Sequence, residues 1–261
     1  MRDKNQRLNN ISIVIITKNE EHVLDRTLAS LHGITDDIII VDSGSTDDTI
    51  TIAKKHSENI IHTTWLGYGN TKNKGIENAK YDWIFSVDAD EAVDKVLKEE
   101  LLKLSLKKED KSVFKVKRKN FIGEKKMNYG EWANDYQIRL FNKKTIKWDD
   151  SPVHEQLQIP PGFKVKKLNG ALLHYTMKDF KEFLDKIHYY AFLSAQKYFS
   201  QGKKALWYKL YLSPSFAFIF NYFFKLGFLD GWRGFVSAKF FAYYTFLKYA
   251  QLKDLESIHK K

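Results

Sequence analysis

The 261-residue chain contains no cysteine, and this absence excludes several classes of protein. Without thiols there is no disulfide scaffold, no cysteine nucleophile and no zinc site built on thiolates. The chain also lacks a Gly-rich phosphate loop of the Walker or dinucleotide-binding type. A metal ion together with basic side chains is therefore the available way for this sequence to hold phosphate groups.

Long hydrophobic runs are missing as well. The longest charge-free stretch near the C-terminus, LYLSPSFAFIFNYFF, runs for 15 residues from Leu210 to Phe224 and contains Pro214 and Asn221. A membrane-spanning helix needs about 20 mostly apolar residues, so we expect a surface-lying or re-entrant segment rather than a span. The polar N-terminus MRDKNQRLNN has no apolar core of the signal-peptide type, which predicts a cytoplasmic protein.

Positive charge and aromatic residues are plentiful but unevenly placed. The chain carries 43 lysines and arginines against 32 acidic residues, a formal charge of +11. Residues 1–175 are nearly neutral, whereas residues 176–261 hold 14 basic residues against 6 acidic ones. Of the 39 aromatic residues, 26 fall between positions 175 and 250. Because disordered chains are poor in aromatics, the sequence predicts a globular domain, 1–175, followed by a basic, aromatic extension, 176–261.

The first 110 residues alternate between strand-like and helix-like patterns. Buried strands are predicted at Ile11–Ile16, Asp37–Val41 and Asp82–Val87. Helices are predicted at Glu21–Leu31, Ser45–His56, Thr71–Lys80 and Asp94–Leu106, with Ser45 as the N-cap of the second. This alternation indicates a parallel sheet covered on both faces.

After Asp110 the pattern changes. Short strands with alternating polarity, as expected of antiparallel or edge strands, are predicted at Ser112–Arg118, Tyr136–Phe141 and Ala171–Tyr175. The remainder predicts helices at roughly 178–200, 205–226 and 232–251, separated by Gly, Pro and Asp-Gly.

Polar and acidic residues follow three of the predicted strands. These segments are Thr17-Lys18-Asn19-Glu20, Asp42-Ser43-Gly44-Ser45-Thr46-Asp47 and Asp88-Ala89-Asp90-Glu91. Ligands of open α/β sheets bind at the carboxyl ends of the strands, although loop and cap chemistry also explains polar residues there. Asp88 and Asp90 can ligate a hard divalent cation that bridges a diphosphate, with helix capping as the alternative. Lys72 and Lys74 could add positive charge for the phosphates.

Three segments, ISIVIITKNEE, IIIVDSGSTDDT and GNTKNKGIENAKYDWIFSVDADE, together resemble the N-terminal half of family 2 glycosyltransferases. The later segments QIRLF, SPVHE, LLHY and GFLDGWRG resemble the bacterial branch that builds the lipopolysaccharide core, typified by β-1,4-glucosyltransferases. The resemblance covers essentially the whole chain. It implies the GT-A fold, an α/β architecture with a mixed, mostly parallel sheet between helices, here with a C-terminal helical extension.

The same resemblance implies a metal-dependent, inverting transfer of a sugar from a UDP-sugar to a glycolipid such as the lipopolysaccharide inner core, with glucose the expected sugar. The implied nucleotide-sugar-binding residues are Thr17, Asn19, Glu20, Asp42, Ser45, Lys72, Asn73, Asp88 and Arg139. Asp42 would accept a hydrogen bond from uracil, and Lys72 would approach the diphosphate. Asp90 would ligate Mg²⁺ or Mn²⁺ directly, while Asp88 would face the ribose and a metal-bound water.

The catalytic base has two candidates. Inverting transfer needs a carboxylate that takes the acceptor hydroxyl proton on the face opposite the leaving diphosphate. Many relatives carry Glu-Asp after an Arg-bearing strand; this chain has Val153-His154-Glu155 there, which predicts Glu155, with Asp135 as the alternative. His174 matches a histidine that completes the metal site in some GT-A enzymes, and a buried structural histidine is the other interpretation.

The C-terminal extension also has two interpretations, a helical subdomain with an aromatic core or a peripheral membrane surface. The excess of basic residues favours the membrane, where aromatic faces sit at the headgroup level and Lys and Arg meet anionic lipid. This predicts a protein at the inner face of the cytoplasmic membrane. No nucleic-acid partner is expected, because no nucleic-acid-binding signature is present. The alternative functions are a polyprenyl-phosphate sugar transferase and a non-catalytic membrane or nucleic-acid-binding protein on a GT-A scaffold.

Overall fold

The computed structural model describes residues 10–107, 109–151, 155–177 and 180–259. The chain divides into two compact units. The first unit takes the chain up to Arg118 together with residues 136–175, and the second takes residues 119–135 together with everything from Thr176 onward.

Parallel strands form one half of the sheet in the first unit. They are β1 (Ile11–Thr17), β2 (Ile38–Asp42), β3 (Ile60–His62) and β4 (Trp83–Asp88). β1 pairs in parallel with both β2 and β4, and β2 pairs in parallel with β3. Every residue of β1 is buried, which is why this strand consists almost entirely of β-branched residues rather than alternating apolar and polar ones.

Helices cover both faces of these strands. They are α1 (Leu24–Leu31), α2 (Thr49–Ala53), α3 (Tyr68–Glu77) and α4 (Lys95–Lys103). Successive side chains of a strand point to opposite faces, so Ile13 and Ile15 join one hydrophobic cluster with Leu24, while Val14 joins another with Ile76. The sheet is therefore buried between two apolar layers, as the alternating pattern predicted.

The predicted start of α2 is wrong, while α1 begins three residues later and α3 three residues earlier than predicted. Ser45 does not cap α2, which begins four residues later, at Thr49, after Asp48. The Ser45 hydroxyl instead donates to the Asp42 carboxylate at 2.5 Å, because the end of β2 offers it a charged acceptor only three residues away. In α4 the predicted start is close, and the Asp94 side chain accepts a hydrogen bond from the Leu97 amide at 2.9 Å.

Antiparallel pairs complete the sheet. The strands are β5 (Glu91–Val93), β6 (Ser112–Ile122), β7 (Lys125–Lys126), β8 (Tyr136–Asn142) and β9 (Lys164–Met177). β8 runs antiparallel to β4 and β6, and β5 runs antiparallel to β9. The order is β3-β2-β1-β4-β8-β6-β9-β5, with β7 paired to β6. The predicted mixed sheet is confirmed.

The second unit is mainly helical. Its helices are α5 (Phe180–Ser200), α6 (Trp207–Tyr211), α7 (Ser213–Ile219) and α8 (Trp232–Ile258), with a π-helical turn at Phe220–Phe224 and 3-10 turns at Gly130–Trp132 and Gly227–Asp230. Hydrogen bonds join α5 to α8, between His188 and Tyr243 at 3.0 Å and between Ser194 and Tyr244 at 2.8 Å. Within the described residues, no helix is long and apolar enough to cross a membrane.

Residues 119–135 were assigned to the first domain from the sequence, but in the structure they pack with the C-terminal helices. The buried Asp230 carboxylate accepts hydrogen bonds from the backbone amides of Asn128, at 3.0 Å, and Tyr129, at 2.9 Å. The Trp132 indole donates to the Ser237 hydroxyl at 2.6 Å. These partners are about a hundred residues apart in the chain, so local sequence patterns could not reveal them.

Candidate active site

The strand register brings the polar strand ends of the first unit together. Thr17 at the end of β1 lies opposite Asp42 at the end of β2, and Ile16 lies opposite Asp88 at the end of β4. Parallel strands whose carboxyl ends meet at one edge form the usual ligand site of open α/β sheets. The residues that follow β1, β2 and β4 therefore form the candidate active site.

The loops after β1 and β2 are tied together by hydrogen bonds. Both oxygens of the buried Asp42 carboxylate accept from the Ser45 amide at 3.2 Å, and one accepts from the Gly44 amide at 3.1 Å. The Asn19 amide donates to the Ser45 hydroxyl at 2.9 Å, and the Asn19 side chain accepts from the Thr46 amide at 2.8 Å. Asp42, Ser45 and Asn19, all predicted to bind the nucleotide, thus form one connected group.

Two buried hydroxyls in this region have no hydrogen-bond partner within the described residues, Thr17 Oγ1 and Ser43 Oγ. Buried polar atoms are normally satisfied, so a polar ligand atom or a water would relieve both. Glu20 lies at the start of the turn that leads into α1, and its amide donates to the Thr49 hydroxyl at 2.8 Å. Thr17 and Glu20 were predicted to line the pocket, whereas Ser43 was not.

A row of alternating charges runs past the end of β4. This charge row consists of Arg118, Glu91, Arg139, Asp88, Lys72 and Glu155. Arg139 projects from β8 and is buried; it contacts Glu91, and one of its guanidinium nitrogens lies 2.6 Å from Asp88 Oδ2. Arg118 lies 3.5 Å from Glu91. Positive and negative side chains thus neutralise one another along the row, which is the condition for burying charge.

Lys72, on α3, links the two carboxylates at the other end of the charge row. Its ammonium nitrogen lies 3.2 Å from Asp88 Oδ1 and donates to Glu155 Oε1 at 2.8 Å. The same nitrogen lies 4.6 Å from the centroid of the Trp148 ring. The side chain is only 4% exposed, so Lys72, which was predicted to approach the diphosphate, is a buried cation between two carboxylates.

Two side chains of this row, Asp88 and Arg139, have pKa values that keep them charged at neutral pH. Burial raises the pKa of the Asp88 carboxyl, but the charges of Arg139 and Lys72 outweigh burial and hold that pKa well below its usual range. Burial likewise lowers the pKa of the Arg139 guanidinium, and the charges of Asp88 and Glu91 reverse the effect and raise that pKa. Asp88 is therefore a carboxylate and Arg139 a cation throughout the physiological range.

The second aspartate of the Asp-x-Asp pair faces a different partner. Asp90 Oδ2 lies 3.2 Å from His174 Nε2, and both side chains are less than one fifth exposed. Two ligands bound to one ion at about 2.1 Å and near a right angle would lie about 3 Å apart. The Asp90–His174 pair has that spacing. Asp88, predicted as a third ligand, is not grouped with them, because its oxygens contact Arg139 and Lys72.

No group of three or more His, Asp, Glu or Cys side chains with metal-site geometry occurs among the described residues. An ion held by Asp90 and His174 would take its remaining ligands from water or from substrate phosphate oxygens. Mg²⁺ in phosphate-transfer sites is commonly bound in this way, by one or two carboxylates plus substrate phosphates. The pair therefore fits a metal that arrives with, or is completed by, a diphosphate.

Two predicted site residues have structural partners. Asn73 was placed in the nucleotide pocket, but its side-chain amide holds the backbone of Trp148, donating to the carbonyl oxygen at 2.9 Å and accepting from the amide at 3.1 Å. Asp135, the alternative base, belongs to the second unit and accepts a hydrogen bond from Asn120 at 3.1 Å. Glu155, the first candidate, belongs to the first unit; Val153 and His154 lie outside the described residues.

Sequence patterns missed three residues of this region. Glu91 was taken as part of a loop, yet it is fully buried at the start of β5. Trp148 contacts α3 from 75 residues away, and no local pattern signals such a return. His62, at the end of β3, places Nδ1 3.5 Å from Asp42 Oδ2. Only Glu91 had a signal, since it directly follows Asp-x-Asp and begins an apolar strand.

Comparison with known proteins identifies the family. The model of glycosyl transferase family 2 matches residues 12–168, more than half of the chain. This chain belongs to glycosyl transferase family 2. The lipopolysaccharide core biosynthesis glycosyltransferase LpsC of Rhizobium meliloti is 32% identical to it, covering 93% of this chain and 91% of LpsC. An uncharacterized glycosyltransferase of Rickettsia typhi is 31% identical, covering 94% of this chain and 87% of that protein.

Among solved structures, glucosyl-3-phosphoglycerate synthase of Mycobacterium tuberculosis in complex with Mn²⁺ and UDP-glucose is 23% identical, with a TM-score of 0.35 over 44% of each chain. The family match and the mixed α/β sheet confirm the predicted GT-A glycosyltransferase and its helical C-terminal region. The protein is thus an enzyme of the glycosyltransferase class.

Proposed function

We propose that this glycosyltransferase moves a sugar, expected to be glucose, from a UDP-sugar to a glycolipid such as the lipopolysaccharide inner core, with inversion and with Mg²⁺ or Mn²⁺. The observation that supports the proposal is that the two aspartates of Asp-x-Asp contact different kinds of partner. Asp88 is held by two cations, Arg139 and Lys72, while Asp90 pairs with His174 at 3.2 Å. One carboxylate would thereby be positioned for the donor, and the other, beside a histidine, would hold the metal.

The donor would bind along the carboxyl ends of β1, β2 and β4. Asp42 is held by backbone amides and would accept the N–H of uracil. The Thr17 hydroxyl, which has no partner within the described part of the chain, offers a further polar contact. Lys72 would bring its buried charge to the diphosphate. A charge-assisted contact at a buried position is stronger than the same contact at the surface.

Asp90 and His174 would hold the metal. A divalent cation bound there neutralises the charge that develops on the departing diphosphate. The protein's own part is to keep Asp90 and His174 side by side, and the backbone does so, since β5 and β9 pair at Glu91 and His174 and the Tyr175 amide donates to the Asp90 carbonyl oxygen at 3.0 Å.

Glu155 would serve as the base. Its Oε1 accepts from Lys72 at 2.8 Å, and we assign proton removal to its other oxygen. As that oxygen takes the proton of the acceptor hydroxyl, the hydroxyl oxygen attacks the anomeric carbon and the bond to the diphosphate breaks. Because Lys72 would contact the diphosphate on one face of the sugar and Glu155 the acceptor hydroxyl on the other, the contact between these two side chains would run alongside the anomeric carbon.

The acceptor proposal rests on LpsC, whose name places it in lipopolysaccharide core biosynthesis, and on the surface of the second unit. Phe216, Phe220 and Phe224 form a stacked row, the aromatic row, with ring centroids 5.7 and 6.0 Å apart. Phe216 is 64% and Phe224 72% exposed. Lys225 lies 5.4 Å from the Phe220 ring and Arg233 lies 4.6 Å from the Trp232 ring. Exposed rings flanked by cations suit the headgroup region of an anionic membrane.

We therefore propose that the enzyme binds peripherally to the inner face of the cytoplasmic membrane, where a glycolipid acceptor resides.

The test of the proposed reaction is a donor screen. Release of UDP or GDP is measured from several UDP- and GDP-sugars, with and without Mn²⁺ or Mg²⁺, using extracted core glycolipid as acceptor.

We expect acceptor-dependent release of UDP from UDP-glucose, and only with metal present. The anomeric proton of the product should show a β linkage by NMR, since inversion of an α-linked donor gives a β-linked product. Transfer to polyprenyl phosphate in place of the core glycolipid would favour the alternative enzyme. Equal activity in a chelator would refute the metal, and release from no sugar nucleotide would refute catalysis.

A further inference from the structure

Glu91 stands out among the acidic residues of the first unit because its side chain is fully buried, with 0% exposure, in a region of ionic contacts. We propose that Glu91 is a positioning residue, and this proposal rests on the proposed donor site. Glu91 holds Arg139 and the backbone of Asp88, and through these two contacts it sets the position of the Asp88 carboxylate that would meet the donor.

Only a carboxylate can make both contacts of Glu91. Its Oε1 accepts from Arg139 and lies 3.5 Å from Arg118, while its Oε2 accepts from the Asp88 amide at 3.1 Å. An ionised carboxylate accepts on both oxygens, whereas a glutamine of the same shape has one acceptor and one donor end. A glutamine would therefore turn an N–H toward either Arg139 or the Asp88 amide, and one of the two contacts would be lost.

Glu91 also balances the charge of Arg139. The guanidinium is buried between two carboxylates, Asp88 and Glu91. Without the charge of Glu91, the guanidinium would draw more strongly on Asp88, because attraction between opposite charges is strong in a buried site. The Asp88 carboxylate would then be less available to a donor hydroxyl.

The position of Glu91 in the chain extends its influence to the other aspartate. Glu91 follows Asp90 directly and lies opposite His174 in the β5–β9 pairing. Its side chain fixes Asp88 on one side, and its strand fixes Asp90 and His174 on the other. One residue thus joins the donor-facing and the metal-facing halves of Asp-x-Asp.

The test compares Glu91→Gln with Glu256→Gln. Glu256 is a buried carboxylate of the second unit that accepts from the Ala205 amide at 2.7 Å. UDP affinity is measured by calorimetry in EDTA, so that no metal contributes. Loss of one charge-assisted contact predicts about a tenfold weaker affinity for Glu91→Gln. Glu256→Gln should lower the melting temperature and leave UDP affinity unchanged, and equal UDP affinity in both variants would overturn the proposal.

A double-mutant cycle tests the route through Arg139. Because Glu91 also holds the Asp88 amide, Glu91→Gln should still lower UDP affinity when Arg139→Met is present, but by less than it does in the wild type. Fully additive losses would overturn the route through Arg139. Should Glu91→Gln fail to fold, Glu91→Asp decides the matter: it keeps the charge but is too short to reach both partners, so reduced UDP affinity is expected and wild-type affinity would overturn the proposal.

A crystal structure of Glu91→Gln separates this proposal from the donor assignment. We expect Arg139 or the Asp88 carboxylate to be displaced so that their 2.6 Å contact is altered. Unchanged positions of both would refute the role of Glu91, whatever the donor is. Failure of the wild-type enzyme to bind UDP would refute the donor assignment, and the displacement would still decide the role of Glu91.

Discussion

The two units of this enzyme place their apolar side chains in opposite ways. Among the described residues, the first unit buries them in two layers around its sheet and exposes four large apolar side chains, whereas the second exposes twenty. Both units bury charged groups, but in different ways. The first unit buries Lys72, Glu91 and Arg139 in one row of paired charges, whereas the second buries the acids Asp230 and Glu256 in separate places. A row of paired buried charges is typical of a site that acts on a polar ligand, and a large exposed apolar surface is typical of one that meets an apolar partner.

The largest expected effect tests this contrast in stability. Phe85 is fully buried in the sheet of the first unit, while Phe224 of the second is 72% exposed. Phe85→Ala should lower the free energy of unfolding by about 3–5 kcal/mol, because it leaves a cavity. Phe224→Ala should change it by less than about 0.5 kcal/mol. Urea denaturation of both variants checks this, and similar losses would mean that Phe224 is packed against part of the protein.

The second prediction tests which unit supplies the base. Glu155 lies in the first unit and Asp135 in the second. Because loss of a general base costs about 10²–10⁴-fold, Glu155→Gln should lower kcat at least about a hundredfold, with donor KM affected far less. Asp135→Asn, a matched change in the other unit, should stay within a few-fold of the wild type. The opposite ranking of kcat would assign the base to Asp135.

The smallest effect concerns the surface of the second unit. Replacing both Phe216 and Phe224 with serine should weaken binding to vesicles containing anionic lipid about thirtyfold, since partial burial of each ring contributes of order 1 kcal/mol. Phe192→Ser is the control, because Phe192 is also exposed in this unit but lies outside the aromatic row. Sedimentation with vesicles measures the bound fraction. An equal loss in the control, or none in the double variant, would argue against the aromatic row as the membrane contact.

Much of the first unit follows from local pattern. The β-branched run at Ile11–Thr17 predicts a strand buried on both faces, and the polar residues after each strand predict that Asp42 and Asp88 lie at the same edge of the sheet. This works because parallel strands bring their carboxyl ends to one edge whatever the loops do. The location of the candidate site was therefore predictable, although the roles of its residues stay predictions.

The contacts within the site were not predictable, because they join distant parts of the chain. Lys72 meets Glu155 across 83 residues, and Asn73 holds Trp148 across 75. Glu91 gave too little signal, since burial of an acid depends on the arginines that return from β6 and β8. Residues 119–135 joined the second unit for the same reason, through Asp230.

The central claim is that the catalytic site lies at the carboxyl ends of the strands of the first unit. Its most direct test is an anomalous-scattering measurement on crystals grown with UDP and Mn²⁺. We predict one manganese peak about 2.2 Å from both Asp90 Oδ2 and His174 Nε2, with UDP phosphate oxygens completing its ligands, and its loss in Asp90→Ala crystals. A peak bound to other residues, or UDP bound with no manganese beside Asp90, would contradict the proposed site.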